Sequence, residues 1–210
     1  MSDNSVLFDA IVDGDAKTAI SEVNSMIAQG VAPQDIMEQH LIPAMSDVGQ
    51  KFECNEFFVP ELLIAARAMQ ESMKILNPIL KASGIEKVGR VVIGTVQGDL
   101  HDIGKNLVAS MLEGGGFEVV DLGVDVPPEK FVEAAREKPG TIIALSALLT
   151  TTMPQMKKVV EAVKTAGLHG LAKVIIGGAP VTSEFAQEIE ADGYSENAST
   201  AVSLAKQLAL

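Results

Sequence analysis

The sequence predicts an α + α/β protein: an N-terminal four-helix bundle followed by a doubly wound, five-stranded parallel sheet covered by helices. Three observations predict it. Apolar residues recur at spacings of three and four from residue 5 to about residue 82, the period of helices. From residue 90 onward, short apolar runs alternate with amphipathic stretches, as in chained β-α units. Between the two regimes, Ser83-Gly84-Ile85-Glu86-Lys87-Val88-Gly89 reads as a linker, so the expected domains are 1–88 and 89–210.

The helical elements follow in order. Asp15 is placed to cap a helix that runs to Gly30, a good C-terminal stop, with Pro33 soon after. Its apolar face is Ala16, Ala19, Ile20, Val23, Met26 and Ile27. The next helix starts near Pro33 and carries Met37, Leu41, Met45, Val48 and Phe52. Pro43 lies inside that run and is expected to kink or break it. The fourth helix is expected to begin at Pro60, a favoured first-turn residue. Its stripe is Leu62, Ala66, Met69, Met73, Leu76 and Leu80, a spacing that suits a small bundle.

In the second half, strands are expected at 90–96, 117–122, 141–146, 173–177 and 192–194. Helices are expected at 104–114, 128–137, 153–166, 182–190 and 198–208. Gly114-Gly115-Gly116 lies between a helix and a strand and ends the helix. Five strands of this length make a flavodoxin-like (Rossmann-like) domain the simplest arrangement.

Composition removes several function classes. A net charge of -12 argues against nucleic acid, whose phosphates need a basic surface, and against an anionic membrane surface. No apolar run reaches the ~20 residues that cross a bilayer. Met1-Ser2-Asp3-Asn4 lacks the basic-then-apolar pattern of a secretion signal. Cys54 is the sole cysteine, so no intrachain disulfide forms, and a cytoplasmic location is expected.

The chemistry gathers at strand ends. The run Gly98-Asp99-Leu100-His101-Asp102-Ile103-Gly104-Lys105-Asn106 leaves the first apolar strand and enters a helix. That puts polar side chains at the carboxyl edge of a parallel sheet, where open α/β folds place ligands. Asp99 can accept the proton of one imidazole nitrogen of His101 and leave the other free for a metal. The third strand ends in Ser146-Ala147-Leu148-Leu149-Thr150-Thr151-Thr152, with four hydroxyls in seven residues. The fourth ends in Gly177-Gly178, where something large can approach the backbone. Each has a plain structural reading: a surface histidine, a helix cap at Thr152 and a turn. Together, at successive strand ends of one sheet, they should converge.

Other chemistries lack their residues. His40, His101, His169 and Cys54 show no zinc-ligand spacing. Gly104-Lys105-Asn106 lacks the hydroxyl of a phosphate-binding loop. No dinucleotide fingerprint follows the first strand, and no nucleophile elbow is present.

Asp99-x-His101-x-x-Gly104, then Ser146-x-Leu148, then Gly177-Gly178, resembles the cobalamin-binding signature of methionine synthase and of the corrinoid proteins of methyltransferase systems. The likeness is nearer to the corrinoid proteins. It covers nearly the whole chain, since that family also carries an N-terminal four-helix cap of this size. The resemblance implies that His101 replaces the cofactor's own base as lower axial ligand to cobalt through Nε2. Asp99 would accept a hydrogen bond from Nδ1, and Thr152, where methionine synthase has a serine, would extend the relay. Leu100, Asp102, Ile103 and Gly104 would bind the cofactor beside them. The displaced nucleotide tail would enter a slot lined by Gly98, Ser146, Leu148, Thr150, Gly177 and Gly178, with Ala198 touching it from the last connection. In the cap, Glu38 matches a cofactor-contacting position and Phe52 a phenylalanine that shields the upper face. Val59 falls where methionine synthase has a leucine. Residues 83–89 would be the hinge that lets the cap move.

The function implied is a methyl carrier without a complete catalytic site of its own. It would bind cobalamin base-off/His-on and shuttle a methyl group on cobalt between two enzymes. One is a substrate-specific methyltransferase acting on a methylamine, methanol, a betaine or a methoxyaromatic. The other is an acceptor methyltransferase of the tetrahydrofolate or coenzyme M type. A reductive activase is a further implied partner. Two alternatives stay open: the cobalamin domain of an adenosylcobalamin enzyme, and a cobalamin-dependent sensor.

Overall fold

The computed structural model describes residues 5–82 and 87–209, so residues 83–86 of the expected linker and hinge lie outside the described residues. The chain divides into two compact units. One runs to Lys87 and includes Glu113–Gly116; the other comprises Val88–Leu112 and the chain from Phe117 onward.

In the helical unit, α1 (Val6–Val12) starts at Ser5, whose hydroxyl accepts the Phe8 N–H. α2 (Ala16–Ala28) is capped by the Asp15 carboxylate, which accepts the N–H groups of Lys17 and Thr18 and satisfies donors the helix itself leaves open. Gly30 follows at φ 83°, a conformation glycine adopts at no steric cost. α3 (Pro33–Ile36) passes through a π-helical turn (Met37–Leu41) into α4 (Ile42–Glu53). Pro43 therefore does not break the run. The Ile42 N–H reaches back five residues to the Met37 carbonyl. The widened turn just ahead of the ring absorbs the bond that proline cannot make.

α5 (Val59–Ala82) starts one residue before Pro60 and runs through Pro78. The Glu61 carboxylate reaches back to the Phe58 N–H, half of a capping box. All six expected stripe residues of α5 are buried, as are Met37, Leu41, Met45 and Val48; Phe52 is only half-buried. α2 packs on α5, and α1 lies against α2, α4 and α5.

In the α/β unit the elements are β1 (Arg90–Thr95), α6 (Ile103–Gly114), β2 (Glu118–Asp121), α7 (Pro128–Arg136), β3 (Thr141–Ser146), α8 (Met153–Thr165), β4 (Ala172–Gly177), α9 (Ser183–Glu188), β5 (Gly193–Ser195) and α10 (Ala198–Leu208). The sheet is parallel throughout in the order β2-β1-β3-β4-β5, the flavodoxin-like winding. Strand residues alternate between two cores. Val91, Ile93, Ile142 and Ala144 pack with Leu112 of α6 and Ala205 of α10. Val92, Ile143 and Leu145 pack with Phe131 of α7, Val159 of α8 and Ala186 of α9. The chain winds in opposite directions from β1 and β3. Their carboxyl ends therefore flank the switch point, where loops part and leave a crevice.

Candidate functional site

Register sets the site. Thr95 pairs with Ser146, Ser146 with Gly177, and Gly177 with Ser195. The last residues of four strands thus form one row along the carboxyl edge, and the three chemistry-bearing stretches do converge there. The β5–α10 connection ends on the same edge, with Ala198 buried as the first residue of α10.

Asp99 is the hub. Its side chain is fully buried between the ends of β1 and β3. Oδ1 accepts the His101 N–H (3.1 Å) and lies 2.7 Å from His101 Nδ1. Oδ2 accepts the Leu148 N–H (2.9 Å) and the Thr152 hydroxyl (2.7 Å). Burial pushes the carboxyl pKa up. The hydrogen bonds from Thr152, Leu148 and His101 outweigh that and hold it well below the usual carboxylate range. An ionised carboxylate only accepts, so Nδ1 carries the ring proton and Nε2 is left as the lone-pair donor. The His101 side chain is half exposed (50%).

Thr152 corrects the plain structural reading. It occupies the N-cap position of α8, but its hydroxyl makes no capping bond. The single hydroxyl proton is shared between Asp99 Oδ2 and the Leu149 carbonyl at 2.9 Å. Asp99, His101 and Thr152 are therefore one hydrogen-bonded chain.

Around the imidazole the surface is apolar and open. Leu100 is 71% exposed, Ile103 76% and Leu148 43%. A Cβ on Gly104 would meet nothing within 4 Å. Asp102 is exposed and accepts the Asn106 amide. Ser146 is half-buried and Thr150 exposed. At Gly177 and Gly178 the close approach comes from the protein's own backbone. A Cβ would lie 3.0 Å from the Ser195 carbonyl oxygen at Gly177, and 2.0 Å from that of Ala147 at Gly178. Among the described residues, no group of three or more His, Cys, Asp or Glu could cage an ion. One tautomer-locked imidazole amid exposed apolar side chains fits a metal that brings most of its ligands in a flat organic ring.

The expected cap residues lie in the helical unit. Glu38 is exposed in the π turn, and its carboxylate accepts the Gln34 amide at 2.8 Å. Phe52 is in the last turn of α4, and Val59 opens α5 with 41% exposure. Cys54 is exposed on the turn between them. His40 Nδ1 is hydrogen-bonded with the Ser5 hydroxyl (2.7 Å).

Sequence reasoning missed the end of β2. Lys105 is buried, and its Nζ donates to Asp121 and to Asn106 Oδ1. Asp125 accepts the Gly98 N–H on Oδ1 (2.7 Å). The available signal was Gly123-Val124-Asp125-Val126-Pro127, a turn-forming stretch at the carboxyl end of a fourth parallel strand.

Two family descriptions match the chain, both "B12 binding domain", one over residues 89–203 and the other over residues 5–77. Among curated relatives, a trimethylamine corrinoid protein of Methanosarcina acetivorans is 43% identical over 96% of this chain and 94% of its own length. A dimethylamine corrinoid protein of the same organism is 43% identical with the same coverage. Among solved structures, a cobalamin-binding protein from Desulfitobacterium hafniense is similar with a TM-score of 0.80 and 36% identity, over 96% of each chain. The methanol:cobalamin methyltransferase complex of Methanosarcina barkeri gives a TM-score of 0.83 and 31% identity, over 97% of this chain and 78% of that one.

Proposed function

Because the chain belongs to the B12-binding family of corrinoid proteins, we propose that His101 Nε2 is its cobalt ligand and that Asp99 and Thr152 tune that ligand. The protein is a corrinoid methyl carrier that works with methyltransferases. The observation that carries the ligand assignment is the buried, ionised Asp99, which holds the proton on His101 Nδ1.

Each group has a role that its chemistry supports. Asp99 accepts the Nδ1 proton and so raises the electron-donating power of Nε2, while the Thr152 hydroxyl donates to Asp99 Oδ2 and keeps that carboxylate ionised. Leu100, Ile103 and Leu148 offer apolar surface to a corrin ring, with Asp102 and Gly104 beside them. Gly98, Ser146, Thr150, Gly177, Gly178 and Ala198 belong to the strand-end row and its loops, and we assign them to the nucleotide tail. Residues 1–88 form the cap in this reading, with Glu38, Phe52 and Val59 turned to cofactor binding and shielding. Bound cobalamin supplies a cobalt centre that takes a methyl group from one partner and yields it to another. The relatives' names favour a methylamine as the methyl source. An acceptor enzyme of the tetrahydrofolate or coenzyme M type and a reductive activase complete the proposed cycle, in the cytoplasm. Among the described residues, no helix is long and apolar enough to cross a membrane.

The test is the visible spectrum of the chain reconstituted with hydroxocobalamin, beside His101→Ala. The expected result is tight binding with a base-off/His-on spectrum that the variant loses. A wild-type chain that takes up no cobalamin refutes the carrier reading. Uptake with the same spectrum in both proteins refutes His101 as the ligand.

A further inference from the structure

The turn that carries His101 is held from outside by a residue no strand-end motif contains. Val96–Asp99 closes through the Asp99 N–H to the Val96 carbonyl (3.1 Å). Gly98, the third residue, sits at φ 82°, which is the pattern of a type II turn. In such a turn the N–H of the third residue makes no bond within it. Here that N–H donates to Asp125 Oδ1 at 2.7 Å. The Asp125 N–H in turn donates to the Asp99 carbonyl at 3.0 Å. One residue of the β2–α7 loop therefore grips both flanks of the Gly98–Asp99 segment.

Asp125 has an unusual backbone for this task. It is one of three described non-glycine residues with positive φ, at 54°. Non-glycine residues adopt that region at a cost, and the surroundings must hold them there. The same loop is tied down on both sides of Asp125. Gly123 accepts the Thr95 N–H (3.0 Å) and Val126 donates to the Thr95 carbonyl (3.0 Å). Thr95 passes the restraint on, since its hydroxyl donates to the His101 carbonyl at 2.9 Å.

We propose that Asp125 is a positioning residue for the axial ligand: its carboxylate fixes the Gly98–Asp99 backbone, and through Asp99 it sets the orientation of His101 toward cobalt. The inference rests on His101 being that ligand. It adds a specific dependence of ligation on a residue that reaches His101 only through the backbone of Gly98 and Asp99. The carboxylate acts as a hydrogen-bond acceptor at a fixed place, so an amide oxygen can replace it. Asn also tolerates the left-handed backbone. Glycine keeps the backbone conformation without strain but removes the acceptor. Asp125→Asn and Asp125→Gly thus separate positioning from folding.

The experiment is electron paramagnetic resonance of the full chain, labelled with nitrogen-15 histidine and loaded with cob(II)alamin. A histidine ligand then splits the cobalt lines into doublets, whereas the cofactor's own base, at natural abundance, gives triplets. Wild type is expected to show the doublet. Asp125→Gly is expected to lower the ratio of doublet to other signal by roughly two- to tenfold, the worth of one ordinary hydrogen bond. Asp125→Asn is expected to restore it. A full doublet in Asp125→Gly overturns the proposal, and so does an Asp125→Asn ratio as low as that of Asp125→Gly. If wild type itself lacks the doublet, the assignment of His101 as ligand fails and this inference falls with it. The thermal midpoint of each cofactor-free variant, measured in parallel, separates a local change in ligation from loss of fold.

Discussion

Replacing Asp99 by asparagine tests the hub of the site more sharply than any other change. The two carboxylate oxygens accept from His101 Nδ1, the His101 N–H, the Leu148 N–H and the Thr152 hydroxyl, all within 3.1 Å. An amide keeps the shape but turns one acceptor into a donor. If the NH2 group takes the place of Oδ2, it faces the Leu148 N–H. If it takes the place of Oδ1, it faces the His101 N–H and drives the ring proton to Nε2. In either rotamer a part-buried backbone N–H loses its acceptor, which costs up to about 1–3 kcal/mol, and charge-assisted bonds become neutral ones. We expect Asp99→Asn to destabilise the cofactor-free α/β unit by about 2–4 kcal/mol at pH 7.

The pH dependence adds a second check. The folded-state pKa of Asp99 is depressed. Its stabilisation is therefore complete above the unfolded value of about 4 and is lost as pH falls toward the folded value. Asparagine does not titrate, so the gap between the two proteins narrows by about 1 kcal/mol on going from pH 7 to pH 3. Urea unfolding followed by the fluorescence of Tyr194 measures both. It is the sole tyrosine in a chain without tryptophan, and it lies in β5. A cost below about 1 kcal/mol at pH 7, or a gap that stays constant down to pH 3, refutes this account of Asp99.

Two further outcomes follow from the same geometry. Thr152→Val removes the hydroxyl that bonds Asp99 Oδ2 without changing shape; it is expected to cost about 1–2 kcal/mol in the same urea assay and to weaken the His-on spectrum, with Thr152→Ser restoring both. Gly178→Ala places a Cβ 2.0 Å from the Ala147 carbonyl oxygen at a φ of 133° and is expected to cost about 3 kcal/mol or more; a thermal midpoint equal to wild type would show that the β3 and β4 ends do not meet as described.

Much of this molecule was legible in the chain. The change of hydrophobic period near residue 85 separates a bundle from a sheet because helices and strands bury different repeats. The Asp15 cap and the α5 stripe from Leu62 to Leu80 are local patterns, and both are present in the structure. The Asp99–His101 pair was legible for the same reason: the two residues lie in one turn, so the bond between them depends little on the rest of the fold. Pro43 shows the limit even of local reading. The run continues past Pro43, because the turn just ahead of it is a π turn that absorbs the missing bond.

The amino-acid sequence by itself determined which strands end in reactive side chains and that those ends share one edge of a parallel sheet. Tertiary structure alone decided which groups meet from one strand end to the next. By its neighbours in sequence Thr152 reads as the cap of α8, and only the family resemblance put it in the relay; its hydroxyl goes to a carboxylate 53 residues away. Asp125 had no visible task until the Gly98 N–H, 27 residues earlier, came within 2.7 Å of it. These bonds depend on β1 lying between β2 and β3. The strand order brings together loops that local periodicity cannot pair, and once they are buried their polar groups must find one another because water is gone.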